Sequence, residues 1–329
     1  MLIQAEKLHI NLESTLQEDL GKNKHVQEVR VNGKEVILTF MGDEAEGVGG
    51  GGGDCPVATS HHEGGVGEGH ALHDARHLGH AGVVDQQDRD RRSLGGPADP
   101  APGPDAAPPQ NGSAWLISVP PGDEGCPVFD VFGEHAATAS WVGYLSTTGV
   151  YGDLDGGWAF EDTPRHPQSV EAQRRMIAED QWLGVGAHVF RLPGIYGPGR
   201  SQLERVQAPN ARRIVKPGQV FSRAHRDDIV GALRASIDRP RPGAAYNICD
   251  DEPAPADEVL AYAAGLLGIA APPAVAFEDA NLSAAAQRFY AECKRVSNAL
   301  AKAELGWRPA CPTYREGLQA CLQADAASS

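Results

Sequence analysis

Trp141-Val-Gly-Tyr-Leu-Ser-Thr-Thr-Gly-Val-Tyr-Gly-Asp153 begins as an apolar run and ends in hydroxyl residues and glycines. A short continuous apolar run closed by turn residues reads as a strand buried on both faces, as in a parallel sheet. Its hydroxyl end would then lie at the carboxyl edge of the sheet, where doubly wound folds take their ligands. A hydroxyl there can hydrogen-bond a substrate carbonyl or alcohol. Taken alone, the same cluster is equally a strand end followed by a glycine turn.

The flanking sequence repeats the texture. Trp115-Leu-Ile-Ser-Val119 precedes it; Ala187-His-Val-Phe-Arg-Leu192, stopped by Pro193-Gly194, follows, and then come Arg213-Ile-Val-Lys216 and Ala245-Tyr-Asn-Ile-Cys249. Residues 171–183, 227–237, 258–267 and 296–305 carry helical patterns. Strands alternating with helices predict an α/β fold, a Rossmann-like doubly wound parallel sheet, from residue 113 to residue 329.

The front of the chain differs. Residues 1–43 suggest a small helix and hairpin segment: helix-like spacing over 12–20, then Val26-Gln-Glu-Val-Arg-Val31 and Lys34-Glu-Val-Ile-Leu-Thr-Phe40 around Asn32-Gly33. Asn-Gly between two apolar-rich runs favours the type I′ turn of a hairpin. Residues 44–112 contain no Ile, Phe, Tyr, Trp, Met or Lys and are dominated by Gly, Ala, Pro, Asp, His and Arg. Such a segment buries too little apolar surface to offset backbone ordering of about 1–2 kcal/mol per residue, and is expected to be disordered. Out-of-frame translation of a GC-rich gene yields this mixture, an idea that fails if no alternative reading frame of the coding DNA encodes a glycine-rich strand–turn–helix.

Two patterns inside that segment invite chemistry. Gly47, Gly49 and Gly52 match G-x-G-x-x-G, but a dinucleotide loop needs a strand ending at the first glycine and a helix starting at the last. The preceding apolar run ends at Phe40 and no helical pattern follows, so the tract reads as a linker. His61, His62, His70, His73, His77 and His80 have no cysteine or carboxylate completing a metal set, and composition accounts for them.

At 329 residues the chain can form a sizeable core, and 41% hydrophobic with 22% charged residues is ordinary for a soluble protein. A net charge of −15 argues against nucleic-acid and anionic-membrane partners. There is no apolar run of membrane-spanning length and no signal-peptide pattern, so a cytoplasmic location is expected. Six scattered cysteines without a C-x-x-C pair argue against both a disulfide framework and a structural zinc site, and no metal is expected.

Several motifs then recur in order: Tyr144-Leu-Ser-Thr-Thr-Gly-Val-Tyr-Gly-Asp153, Phe190-Arg-Leu-Pro-Gly-Ile-Tyr-Gly-Pro-Gly-Arg200, Phe221-Ser-Arg-Ala-His-Arg-Asp-Asp-Ile229, Tyr246-Asn-Ile-Cys-Asp250 and Leu305-Gly-Trp-Arg-Pro309. Over residues 113–322 this set resembles the extended short-chain dehydrogenase/reductase superfamily of NAD(P)-dependent epimerases and dehydratases, in particular its atypical bacterial branch. The resemblance implies NAD or NADP as cofactor, a small polar substrate such as a nucleotide sugar, a small C-terminal substrate-binding lobe and a possible homodimer. It also implies roles. Ser118, Val119, Pro120, Ser146, Thr147, Arg175, Pro193, Gly194 and Ile195 would line the cofactor. Thr147 would be the catalytic hydroxyl, with Tyr151 in reach of the site, and Arg200, Phe221, Arg223 and His225 would face the substrate.

Two departures qualify the resemblance. The superfamily's Tyr-x-x-x-Lys positions fall on Glu171 and Arg175, and an ordinary carboxylate, with a pKa of about 4.3, protonates an alkoxide poorly. The cofactor-binding front half is also not recognisable, leaving the sheet incomplete on its N-terminal side. Loss of those strands would expose a strand edge unless the 26–40 hairpin covers it. Three readings stay open: an NAD(P)-dependent oxidoreductase or epimerase-like enzyme, a non-catalytic nucleotide-binding relative, or a defective product that cannot hold cofactor.

Overall fold

The computed structural model describes residues 3–5, 8–10, 26–31, 34–39, 109 and 111–328. The helix expected over 12–20, the glycine tract, the clustered histidines and the 44–108 texture lie outside the described residues.

Strands β1 (Ile3–Ala5) and β2 (Leu8–Ile10) form a separate antiparallel pair. The central sheet starts with β3 (Val26–Val31) and β4 (Lys34–Thr39), paired antiparallel with Val31 opposite Lys34. It continues with β5 (Ala114–Ile117) and β6 (Trp141–Thr147). Next in the chain are β7 (Trp158–Ala159), β8 (His188–Leu192), β9 (Gly194–Tyr196), β10 (Arg213–Val215), β11 (Arg223–His225) and β12 (Ala245–Asn247). The last strands are β13 (Ala274–Ala276) and β14 (Arg295–Val296).

The six-stranded sheet runs β12-β8-β6-β5-β4-β3, parallel at every step except β3–β4. The hairpin therefore covers the edge that the missing front half would expose: β4 pairs parallel with β5, Val36 opposite Ala114. In the usual strand order of doubly wound dinucleotide folds, the strand beside the fourth is the one that feeds the phosphate-binding turn. Here β4 holds that place, and the residues after it lie outside the described set. Beyond it, among the described residues, the sheet ends on antiparallel β3.

Eight α-helices are described: α1 (Pro127–Phe132), α2 (Val170–Gly184), α3 (Gln202–Val206), α4 (Arg226–Asp238), α5 (Ala256–Leu266), α6 (Ala284–Phe289), α7 (Ala299–Leu305) and α8 (Tyr314–Ser328). Helices cover both faces of the sheet. Trp141, Leu145, Phe190 and Tyr246 pack with Ile229, Leu233 and Ile237 of α4 and Leu305 of α7. The alternate residues Trp115, Ile117, Val142, Tyr144 and Val189 pack with Val128 and Phe132 of α1 and Trp182 of α2. This division explains why the strands read as unbroken apolar runs: neither face meets water. A smaller lobe packs α3, α5 and α8 around Leu203, Leu260 and Leu318, with the β10–β13 pair beside it.

The helix expected over 296–305 is shorter, beginning at Ala299. Its first expected residue, Val296, instead belongs to β14 and pairs with Ala159 of β7. An apolar position facing a free strand partner is taken by tertiary pairing over local helical preference.

Candidate active site at the sheet's carboxyl edge

Parallel strands end together. Ile117 is opposite Tyr144, and Thr147 is opposite Leu192, so Thr147 and Pro193 leave β6 and β8 side by side, while Ser118 leaves the neighbouring β5 level with Leu145. Gly194 and Ile195 continue into β9, which pairs parallel with β11: Gly194 faces Arg223 and Tyr196 faces His225. The expected cofactor residues of residues 118–147 and 193–195 are thus brought to one edge. Thr147 is half-buried and its Oγ1 accepts from the Gly149 amide at 3.1 Å, capping the short helical turn over Thr148–Tyr151. The buried Ser146 Oγ has no hydrogen-bond partner.

Arg175 ties this edge together from α2. Its Nη1 donates to the Leu145 carbonyl at 2.9 Å, the Tyr144 hydroxyl at 3.1 Å and the Val119 carbonyl at 3.3 Å. One guanidinium therefore holds the ends of β5 and β6 against the helix. Glu171, one turn earlier, is exposed.

Tyr151 lies elsewhere than the cleft mouth. It is fully buried, donates to Asn247 Oδ1 at 2.8 Å and accepts from Arg191 Nη1 at 2.8 Å. Burial pushes its hydroxyl up to about 12, with Arg191 pulling the other way. Arg191 is in turn clamped by Glu179, with contacts of 2.9 to 3.2 Å, and Arg165 adds a second cation to that carboxylate at 3.0 Å. Burial works against the Arg191 charge, but the Glu179 carboxylate outweighs it and raises the guanidinium's pKa. The signal for this network is an arginine within an otherwise apolar strand, since a buried charge demands a partner.

The residues expected to face substrate divide. Arg200 is exposed, at a tight turn in which Gly197 and Arg200 exchange backbone hydrogen bonds. Phe221 stacks on Phe289 at 4.4 Å with 9° between ring planes. Arg223 is buried and its Nη1 donates to the Phe221 and Ala254 carbonyls at 2.8 and 3.0 Å. His225 is buried as the N-cap of α4, its Nδ1 accepting from the Asp227 amide at 3.4 Å. Asp250, the last residue of the Tyr246–Asp250 motif, is buried with its carboxylate drawn toward the Arg223 charge.

The glycine that closes the hydroxyl block has a structural reason. Gly152 sits at φ 69°, ψ −153°, and a Cβ there would stand 2.1 Å from the His166 carbonyl oxygen. That backbone region is essentially open to glycine alone. Gly152→Ala is expected to cost at least about 3 kcal/mol in urea unfolding, strain and overpacking acting together; a loss within about 0.5 kcal/mol, the range of neutral surface changes, would contradict it.

A conserved protein of unknown function from Silicibacter pomeroyi DSS is 50% identical to this chain, with a TM-score of 0.64 over 68% of this chain and 81% of that one. The two are members of one family. The NAD complex of dTDP-glucose 4,6-dehydratase from Bacillus anthracis, at 19% identity and TM-score 0.51, covers 66% of this chain and 73% of its own. The two share a Rossmann-like α/β fold. A 3-diazoavenalumate denitrifying reductase from a Streptomyces species is 30% identical over 174 residues, 50% of this chain and 54% of the reductase. Matches to curated relatives span 38% to 54% of those relatives' length. No family model matches the chain. Among the described residues no helix is long and apolar enough to cross a membrane.

Proposed function

We propose that this chain is an NAD(P)-dependent oxidoreductase or epimerase-like protein of the cytosol, acting on a nucleotide sugar or another small polar substrate. The observation that carries the proposal is the emergence of Thr147 and Pro193 side by side at the carboxyl edge of a parallel sheet, with Ser118 at the end of the next strand. A ligand of this fold class binds outside that edge. The reductase relative and the NAD-bound dehydratase of like fold support the reaction class. Residues 113–329 form the reductase-like unit in this reading, with 1–43 and 44–112 as separate segments, and a homodimer as its assembly.

The residues suit the nicotinamide half of the cofactor. The Ser146 hydroxyl lacks a protein partner, and residues 118–120 and 193–195 offer backbone polar groups beside it. When bound, NAD(P) supplies hydride exchange. Thr147, half-buried at the strand end, would hold a substrate oxygen by its hydroxyl. Arg175 orients the edge through its hydrogen bonds to Leu145, Tyr144 and Val119. Tyr151, its proton held by burial, would support the site from beneath through Asn247 and Arg191.

A second reading, nucleotide binding without turnover, is favoured by Glu171 and Arg175 standing where the superfamily has its Tyr and Lys. Titrating the full chain with NADH and NADPH, followed by nicotinamide fluorescence, tests both. Binding followed by cofactor oxidation with a panel of nucleotide sugars and other small carbonyl compounds supports the first. Binding without turnover supports the second; absence of binding removes both and leaves a chain unable to hold cofactor.

A further inference from the structure

On the far side of the β9–β11 pair, four potential ligand side chains meet in the interior. His225 caps α4, Asp228 follows one turn later, Cys311 lies in the loop before α8, and Cys321 projects from α8. One ligand atom each from His225, Asp228 and Cys311 lie within 4.8 Å of one another, all three residues buried. Cys321, also buried, brings its Sγ to 3.8 Å from His225 Nε2. We propose that this cluster is a structural site for a zinc-class divalent cation, with His225, Asp228, Cys311 and Cys321 as its ligands.

The donor types are those that zinc takes: imidazole, thiolate and carboxylate. Tetrahedral zinc spaces nitrogen and sulfur ligands about 3.6 Å apart. The His225–Cys321 pair stands near that spacing at 3.8 Å, and His225, Asp228 and Cys311, within 4.8 Å of one another, would close on the ion by side-chain shifts. Asp228 already accepts from the Ala310 amide at 2.5 Å and the Cys311 amide at 3.2 Å, but a carboxylate has about four acceptor positions and keeps room for a metal. The surroundings are short of positive charge. Burial pushes the Asp228 carboxyl up to about 6 and both thiols up to about 12, and the acidic neighbours Asp227, Asp250, Glu204, Glu316 and Asp325 raise them further. Arg226 is the cation that opposes them at Cys321. The Tyr196 hydroxyl, on a ring edge-on to His225 at 5.3 Å, is buried without a hydrogen-bond partner.

Ligation is balanced in protons. Ligation through His225 Nε2 requires the tautomer with its proton on Nδ1, so the 3.4 Å cap bond from the Asp227 amide is given up and the Nδ1 proton turns to the Asp227 carboxylate, 3.8 Å away, the usual kind of outer partner of a metal-bound imidazole. The Cys311 and Cys321 thiol protons pass to solvent. Four protein ligands leave no open position, so the ion would pin α8 to α4 and hold the lobe on the sheet instead of activating water.

The full chain, stripped with a chelator and titrated with Co²⁺, is expected to bind one equivalent with a thiolate-to-cobalt charge-transfer band and tetrahedral d–d bands. Zn²⁺ is expected to displace it, release two protons per ion and raise the melting temperature. Cys311→Ser and Cys321→Ser are each expected to lose intensity in the charge-transfer band. Absence of binding, binding without a thiolate band, or a spectrum unchanged in both variants overturns the proposal; the second outcome points to the histidines at 61–80 as ligands, the third to another cysteine. Should a serine variant fail to fold, peptide-mapped alkylation of the natural chain decides. Zn²⁺ must then slow labelling at Cys311 and Cys321 more than at the buried Cys126 and Cys249. Equal rates with and without Zn²⁺, or equal slowing at all four, overturn the proposal.

Discussion

Glu179→Ala is expected to destabilise the protein by about 3–5 kcal/mol, the cost of leaving a buried charge without its partner. Glu179 is fully buried and meets Arg191, itself buried, through contacts of 2.9 to 3.2 Å. Arg191 also donates to the Tyr151 hydroxyl and the Glu161 carbonyl, so the same guanidinium joins β8 to the hydroxyl block and to the loop after β7. A domain has a net stability of about 5–15 kcal/mol, and this one change removes a large part of it. Urea unfolding followed by tryptophan fluorescence measures the loss. The double variant Glu179→Met with Arg191→Leu, which removes both charges, is expected to recover part of it, since an apolar pair avoids desolvation. A single variant within about 1 kcal/mol of the natural protein, the worth of an exposed pair, would mean that water reaches this pair.

Between pH 6.5 and 8 the protein is expected to lose about 2 kcal/mol of stability, and Asp250→Asn to abolish most of that slope. Burial pushes the Asp250 carboxyl up to about 8, against the pull of the Arg223 charge. A carboxyl that holds its proton more tightly folded than unfolded stabilises the native state fully below its unfolded value. That contribution is gone once pH passes the folded value. Asp228, raised to about 6 by burial, acts the same way lower down. There it is opposed by His188 and His225, whose pKa values burial lowers, so their contribution rises with pH up to the ordinary histidine value of 6.5. Above that value Asp250 acts without them, which makes this window the diagnostic one. Urea midpoints across it, with chelator present to keep metal off Asp228, give the slope. A flat profile for the natural chain would show that solvent or Arg223 already satisfies the Asp250 charge.

The clearest sequence signals were those in which neighbours along the chain decide. The apolar runs at Trp115, Trp141 and Val189 became β5, β6 and β8, because a strand covered on both faces must be apolar throughout. Asn32-Gly33, a dipeptide that favours hairpin turns, marked the antiparallel pairing of β3 and β4. Thr147 and Pro193 were legible as a pair because parallel strands share one carboxyl edge. Arg223 and His225 were less so: a polar residue after a loop has the same appearance whether it faces a cleft or, as here, binds backbone groups of the interior. Val296 was drawn from helix to strand by a partner 137 residues earlier, Ala159.

The amino-acid order by itself determined the parallel α/β sheet and its carboxyl-edge hydroxyl turn, since these follow from periodicity and from motifs read within a few residues. Which charges face which was decided by the tertiary structure alone. Arg191 finds Glu179 and Tyr151 across helix and turn, Arg175 reaches back to Val119, and His225 meets Cys321 nearly a hundred residues on. The physical reason is that burial makes an unpaired polar group costly wherever it stands in the chain, so folding selects partners by distance in space.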